Sequence, residues 1–294
     1  MFDQVVLRYY DLGLLDWRAS AAAFSREPCV FFHGDSALNE KDSQRTCEVC
    51  IDSVQGAMIA HRFGADRVEL CGNLVEGGTT PSAGMIESVV AATPLPVMVM
   101  LRPRGGDFCY QSEEIAVMLS ELNFVKRHNI AGIVMGALLP DGSLDLPTCR
   151  KLCTQADGLE ITFHRAFDQT VDPFASLDQL IELGIDRVLT SGQAPSAEQG
   201  LSLLKELVAH AAGRISIMPG AGISAENVGS IIARTGCREL HFSGSQRIQS
   251  PVTFRRESVP MSAERTPGDA FLRTTSEKKV ESIVRAVDAC LSQN

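Results

Sequence analysis

A three-residue motif that pairs a glutamate with a cysteine occurs twice near the start of the region in which strand and helix patterns alternate. The word Glu-x-Cys occurs as Glu48 to Cys50 and again as Glu69 to Cys71. Each word lies in a short run of alternating apolar residues, which is typical of a β-strand. Because side chains alternate across a strand, each glutamate shares a face with its cysteine. Carboxylates can act as general bases, and thiolates are ligands for soft metal ions.

The elements around these words predict how the four side chains are oriented. Residues 47–78 read as a strand, a helix, a second strand and a glycine-rich loop, which is the pattern of a βαβ unit. In a parallel sheet covered by helices the outer face is apolar, which suits Val49, Ile51, Val68 and Leu70. The glutamates and cysteines must then point to the side that the strands enclose.

The same alternation of strand and helix continues along the chain. Six further strands are predicted at residues 96–103, 132–137, 160–164, 187–191, 214–219 and 239–243. Helices are predicted at residues 83–92, 112–128, 147–155, 173–183, 197–212 and 276–291, with another opening at Ser224. Eight such units predict an α/β fold, the (β/α)8 or TIM barrel, whose typical length is about 250 residues. An open doubly wound sheet would need a topological switch, and the spacing shows none.

Residues 1–46 do not show this alternation of strand and helix. We interpret them as an N-terminal extension to a single barrel domain, residues 47–294. The extension is either an oligomer contact, a loose tail or an upstream piece that does not fold. The pattern does not choose among these.

The composition excludes several classes of function. The net charge is −9 and the isoelectric point is near 5.2, which disfavours binding to nucleic acid or to a membrane surface. No apolar run approaches the ~20 residues of a membrane span, and the N-terminus does not resemble a secretory signal. We therefore expect a cytoplasmic protein whose nine cysteines are reduced thiols.

Five charged or titratable residues are predicted to point inward near the C-terminal ends of the strands, an end of the barrel called the mouth below. They are Glu48, Glu69, Arg102, His164 and His241. Chemistry in such barrels takes place at this end. A lone buried histidine is usually a core residue satisfied by its neighbours, but a cluster of buried charges must either be paired or form a site. We interpret the cluster as a candidate catalytic ring.

Small residues at three strand ends suggest a place for an anion. Gly220 and Gly222 follow the seventh strand and precede a helix, where barrels often bind phosphate. Thr190 or Ser191 ends the sixth strand, and Ser243 ends the eighth. We predict anion binding by Gly220, Gly222, Ser191 and Ser243, although turn geometry alone explains the glycines equally well.

Cys50 and Cys71 are predicted to meet near the mouth, because neighbouring strands lie about 4.8 Å apart. That distance suits two thiolates that share one soft ion, Cu(I) above all. Two buried thiols that act as small hydrophobic groups explain the pattern as well. Cys149 and Cys153 share a helix face and are interpreted as packing residues.

Eight short words carry a family resemblance. They are EVCIDS, RVELC, EGGTTPS, RPRGGDF, TFHRAFD, RVLTSG, MPGAGI and ELHFSG, and they fall in order between residues 46 and 262. Together they resemble the CutC family of copper homeostasis proteins. The resemblance implies a TIM barrel, cytosolic copper handling, Cu(I) held at Cys50 and Cys71, and homo-oligomers. The chain departs from the family in residues 1–46 and at Arg256, where asparagine is usual.

Two functions follow from these patterns. The resemblance favours copper homeostasis, with Cu(I) bound by paired thiols at the mouth. The ring of Glu, His and Arg favours an isomerase, lyase or hydrolase that acts on a small anionic or phosphorylated metabolite. A purely structural barrel is a third reading, which the polar mouth disfavours.

Overall fold

The computed structural model describes residues 45–254, 256, 259 and 270–291. Almost all of the predicted extension, residues 1–46, lies outside the described residues, so its role stays a prediction. Arg256 contacts the ring of Phe254, with its guanidinium carbon 5.9 Å from the ring centroid.

Eight strands and eight helices alternate along the described part of the chain. The strands are β1 (Thr46–Ile51), β2 (Arg67–Leu70), β3 (Val97–Met100), β4 (Gly132–Met135), β5 (Glu160–Phe163), β6 (Arg187–Thr190), β7 (Ser216–Pro219) and β8 (Glu239–Phe242). The helices are α1 (Val54–Arg62), α2 (Ala83–Ala92), α3 (Ser112–Val125), α4 (Leu146–Gln155), α5 (Pro173–Glu182), α6 (Leu201–Ala211), α7 (Val228–Thr235) and α8 (Glu277–Leu291). Among the described helices, none is both long and apolar enough to cross a membrane.

The strands form one parallel sheet that curls into a nearly closed barrel. Their hydrogen-bonded order is β7-β6-β5-β4-β3-β2-β1-β8, and β7 also lies against β8. The predicted (β/α)8 barrel is confirmed.

Because side chains alternate along each strand, the residues of the sheet contribute to two separate apolar clusters. Outward residues such as Val49, Ile51, Val68 and Leu70 join the large core between the sheet and the helices. A second, smaller apolar cluster lies inside the barrel and is formed by Cys50, Cys71, Met98, Met100 and Val134. The predicted facing of β1 and β2 is therefore correct.

Two predicted helix starts are wrong for a local reason. The helix expected from residue 197 begins at Leu201, because the preceding residues form turns and the Ala197 amide donates to the carbonyl of Ala221. The helix expected at Ser224 begins at Val228, because the Asn227 side chain accepts a hydrogen bond from the Ser224 amide in the turn before it. The helix expected to reach residue 128 ends at Val125.

An antiparallel hairpin was not predicted. It consists of β9 (Ser245–Gln249) and β10 (Phe271–Thr275) and lies between β8 and α8 along the chain. Its residues are mostly polar or exposed, so the sequence carries little strand periodicity there.

Inward charges at the start of the strands form a ladder of ion pairs across the barrel. Arg67 binds Glu48 and also Glu239, with Nη2 2.6 Å from the Glu239 carboxylate. Arg187 binds the same Glu239 oxygen at 3.0 Å and Glu160 at 2.7 Å. Each buried arginine thus has two carboxylate partners, which offsets the cost of removing these charges from water.

We predict that Arg67→Met lowers the free energy of unfolding by about 3–5 kcal/mol, because Glu48 and Glu239 would stay buried without their shared cation. Urea-induced unfolding measures the change. The matched control is Arg62→Met, which removes an ion pair to Glu277 whose two side chains are 60% and 52% exposed. Such exposed pairs contribute at most about 1 kcal/mol. Equal losses in the two variants would contradict the role given to the ladder.

Candidate metal centre

The two predicted thiols meet inside the barrel mouth. Cys50 lies on β1, Cys71 directly follows β2, and their Sγ atoms are 3.9 Å apart. Both are free thiols, with exposed fractions of 7% and 1%. A disulfide bond is about 2.0 Å long, so the two sulfurs are close but not bonded.

Both carboxylate oxygens of Glu48 contact neighbouring side chains. Its side chain has no exposed surface, one carboxylate oxygen accepts from Arg67, and the other lies 2.8 Å from Nδ1 of His241. Burial alone would raise the pKa of Glu48, but the hydrogen bond from His241 and the charge of Arg67 outweigh it and lower the pKa to about 2. Glu48 therefore acts as a fixed anion that orients His241.

His241 lies between the Glu48 carboxylate and the Cys50 thiol. Burial opposes a charged imidazole, yet Glu69, Cys50 and Glu48 together raise the pKa of His241 well above its usual value. Its Nε2 atom lies 3.5 Å from a carboxylate oxygen of Glu69, and the ring lies beside the Cys50 thiol. Glu48, the imidazole of His241 and the Cys50 thiol are thus neighbours in that order, and the charged form of His241 is favoured.

The acidities of the two thiols differ. A hydrogen bond from Cys71, aided by His241, outweighs burial and lowers the pKa of the Cys50 thiol to about 5. The same contact and burial raise the pKa of Cys71 well above its usual range. Burial and the charge of Cys50 likewise raise the pKa of Glu69. The contact with Cys71 and the charge of His241 thus favour the thiolate form of Cys50, whereas the environment of Cys71 opposes ionisation.

Two overlapping groups of side chains could hold a metal ion. The first is Cys50, Glu69 and Cys71, and the second is Glu48, Glu69 and His241, with the ligand atoms of each group within 4.8 Å of one another. In the second group Glu48 is already hydrogen-bonded to both Arg67 and His241. The first group offers two sulfurs beside apolar side chains, and such donors select soft ions.

Arg102 holds the loops at the mouth. Its Nη1 donates to the carbonyl oxygens of Glu76 and Gly78 at 2.7 and 3.0 Å, and its Nη2 donates to Gly106 at 2.7 Å. The guanidinium also lies over the ring of Phe108, 4.8 Å from its centroid. These contacts make Arg102 a brace between two strand-end loops and leave its Nε buried without a partner among the described residues.

His164 is a neutral, buried donor. Its Nδ1 accepts from the Ala166 amide at 3.2 Å, which places the proton on Nε2. Nε2 is buried and has no partner in the described part of the chain. Burial and the nearby charge of Arg102 lower the pKa of His164 to about 3. Oε1 of Glu69 is also buried without a partner there, so the ring holds both an unused donor and an unused acceptor.

The small residues expected to bind an anion are spread over three loops. The amide of Ser191 lies 3.1 Å, and its hydroxyl 2.9 Å, from the Asp168 carboxylate. Thr190, the alternative at this strand end, also donates to Asp168. Gly220 is buried beside His241, whereas Gly222 is exposed. Ser243 contacts the hydroxyl of Ser245 at 3.3 Å. The Ser191 amide, which was expected to bind an external anion, therefore already donates to the carboxylate of Asp168.

Comparison with known proteins places this barrel in a family. A family model described as the CutC family matches residues 45–246. This chain belongs to the CutC family. The "Copper homeostasis protein cutC homolog" of Homo sapiens is 45% identical over 236 residues, which cover 80% of this chain and 86% of that protein. A family protein CutC of Pasteurella multocida is 47% identical over 212 residues, or 72% and 87% of the two chains.

Solved structures agree with this assignment. The crystal structure of the copper homeostasis protein CutC from Streptococcus agalactiae matches with a TM-score of 0.65 and 33% identity, over 68% of this chain and 99% of that one. The phosphoribosyl anthranilate isomerase of Thermotoga maritima matches with a TM-score of 0.52 at 13% identity, over 84% and 100%. The second likeness shows the shared barrel fold alone.

Three residues around this site were missed from the sequence. Arg67 lies two residues before Glu69 on the same strand, so alternation alone would have placed it inside the barrel. Asp168 belongs to a short 3-10 helix, Arg165–Gln169, and no periodic pattern marks it. Met100 has the right parity on β3 but reads as an ordinary core residue.

We predict that His164 makes the protein less stable in acid. The unfolded imidazole takes up a proton near pH 6.5, whereas the folded one, with its pKa lowered to about 3, does not. Stability is therefore lost as the pH falls through 6.5, by about 2 kcal/mol between pH 7 and 5. Urea unfolding at several pH values should show that His164→Gln removes this part of the loss.

The control is His61→Gln, since His61 is an exposed histidine on α1. If wild type and His164→Gln lose stability in parallel between pH 7 and 5, the neutral, buried state of His164 is wrong.

Proposed function

We propose that this CutC-family chain binds Cu(I) through Cys50 and Cys71 and serves in copper homeostasis, the role named for its relatives. The observation that supports this most directly is the pair of buried sulfurs 3.9 Å apart at the mouth. Thiolates are preferred ligands of Cu(I), and water is largely excluded from both sulfurs.

The neighbouring residues prepare the thiols for a soft cation. A thiol must lose its proton to bind a metal ion, and the charged His241 beside Cys50 stabilises the thiolate. Glu48 holds His241 in place at 2.8 Å. Glu69 lies 3.5 Å from the Cys71 sulfur and can complete the donor set or accept a hydrogen bond from it. Bound Cu(I) would place its positive charge beside a thiol whose pKa is already lowered.

A cytoplasmic location and assembly into homo-oligomers belong to the same proposal. The eight cysteines in the described part of the chain are all free, which fits a reducing compartment. Assembly is carried over from the family resemblance, and light scattering coupled to size exclusion measures it.

We predict that the full chain binds one Cu(I) tightly and that Cys50→Ser with Cys71→Ser weakens this binding by at least about 100-fold, because an alcohol is a poor ligand for a soft ion. An anaerobic titration against a strong cuprous chelator measures the affinity.

The matched control is Cys149→Ser with Cys153→Ser, which removes two cysteines from α4 and should leave the affinity unchanged. Weak binding by the wild type, or equal losses in the two double variants, would contradict the copper proposal.

A second function, an enzyme for a small anionic metabolite, is favoured by the unused polar atoms at the mouth. Nε2 of His164, Nε of Arg102 and Oε1 of Glu69 are buried without partners among the described residues, and such atoms often await a ligand. In this alternative Glu69 or a histidine is the general base, Arg102 holds the anionic group, and the loops of Ser191, Gly220, Gly222 and Ser243 bind phosphate or carboxylate.

A thermal-shift screen of phosphorylated and carboxylated metabolites tests the alternative. A true ligand should raise the melting temperature of the wild type but not of His164→Ala, and His164→Ala should keep its affinity for Cu(I). A hit that stabilises both forms equally, or no hit at all, would count against the enzyme.

A further inference from the structure

Three sulfur-bearing side chains point into the mouth from three consecutive strands. Cys50 belongs to β1, Cys71 follows β2, and Met100 ends β3. Glu69 pairs with Met98 in the β2–β3 register, so two residues further along Cys71 is level with Met100. All three belong to the apolar cluster inside the barrel and are at most 7% exposed. Parity and register thus bring a thioether to the thiol pair.

The loop after β2 shows how close the thioether comes. A Cβ atom built on Gly78 would lie 3.0 Å from Sγ of Cys71 and 3.5 Å from Cε of Met100. The sulfur of Cys71 and the methyl end of Met100 therefore flank one point. Gly78 has a φ of +97°, a conformation that side chains avoid, so no side chain at this position separates the thiol from the thioether.

The spacing of the two thiols suits a set of three donors. Metal–sulfur bonds are about 2.3 Å long, so two sulfurs bound to one ion in a linear arrangement would be about 4.6 Å apart. At the observed separation of 3.9 Å they would subtend roughly 116° at the ion, close to the angle of a trigonal arrangement. A trigonal arrangement requires a third ligand, and two side chains beside the thiols offer one: the carboxylate of Glu69, 3.5 Å from the Cys71 sulfur, and the thioether of Met100.

We propose that the thioether of Met100 is this third ligand and makes the site selective for Cu(I) over divalent ions. This inference rests on the proposed copper function. A thioether is soft and uncharged, so it adds affinity for Cu(I) without adding the negative charge that a divalent ion would favour. Methionine is unbranched and has three rotatable side-chain bonds, so its sulfur can turn toward the thiol pair.

Met98 offers a matched control on the same strand. It faces the same interior, has no exposed surface and belongs to the same cluster. Its methyl end, however, lies at β4, where a Cβ built on Gly132 would be 2.5 Å from Cε of Met98. Met98 therefore fills the barrel one layer below the thiols.

The test compares Met100→Leu and Met98→Leu in the full chain. Leucine is close to methionine in volume and lacks the sulfur. Anaerobic competition with a cuprous chelator should show Cu(I) affinity at least about 10-fold weaker for Met100→Leu and nearly unchanged for Met98→Leu. In the wild type labelled with ¹³C at the methionine methyl groups, Cu(I) should shift the Met100 resonance and leave that of Met98 in place.

The outcomes separate this inference from the copper function. Tight binding by the wild type that persists in Met100→Leu, with an unshifted Met100 resonance, overturns the thioether ligand and leaves the thiol site standing. Failure of the wild type to bind Cu(I) overturns both. If Met100→Leu does not fold, the Met100 methyl resonance of the wild type still tests the proposal. A shift on addition of Cu(I) supports the thioether ligand, and an unshifted resonance overturns it.

Discussion

The carboxylate of Glu48 is the group on which the interior of the barrel depends. It has no exposed surface, and its two oxygens bind two different cations, Arg67 and His241. On the Arg67 side it begins the ladder of ion pairs that fills the lower barrel. On the His241 side it orients the imidazole against Cys50. A buried carboxylate with two partners avoids the penalty of an unpaired charge, and here the same pairing connects stability to the chemistry of the mouth.

The charges at the mouth define the ion that fits there. Glu48 and Arg67 compensate each other, Cys71 and His241 lower the pKa of Cys50, and the contact with Cys50 raises the pKa of Cys71, while burial raises that of Glu69. Sulfur donors in an apolar cluster suit a soft, singly charged cation better than a hard divalent one. This distribution favours the copper function over a site for Mg²⁺ or Ca²⁺, and it agrees with the naming of the CutC-family relatives.

Local periodicity explains how much of this could be predicted from the sequence. A period of two is a property of the strand itself, so it correctly placed Glu48, Cys50, Glu69 and Cys71 inside the barrel. Tertiary contacts were harder to foresee. The carbonyl partners of Arg102 come from the paths of two loops, and the late starts of α6 and α7 come from turns stabilised by other parts of the chain. Arg67 obeyed the period and was recoverable from it, whereas Asp168 was not.

The measurement that tests the copper site most directly is anomalous diffraction at the copper edge from crystals of the full chain loaded anaerobically with Cu(I). The copper proposal predicts one anomalous peak within bonding distance of Sγ of both Cys50 and Cys71. A peak bound to other residues, or no peak in crystals of fully loaded protein, would contradict the central role given to the two thiols.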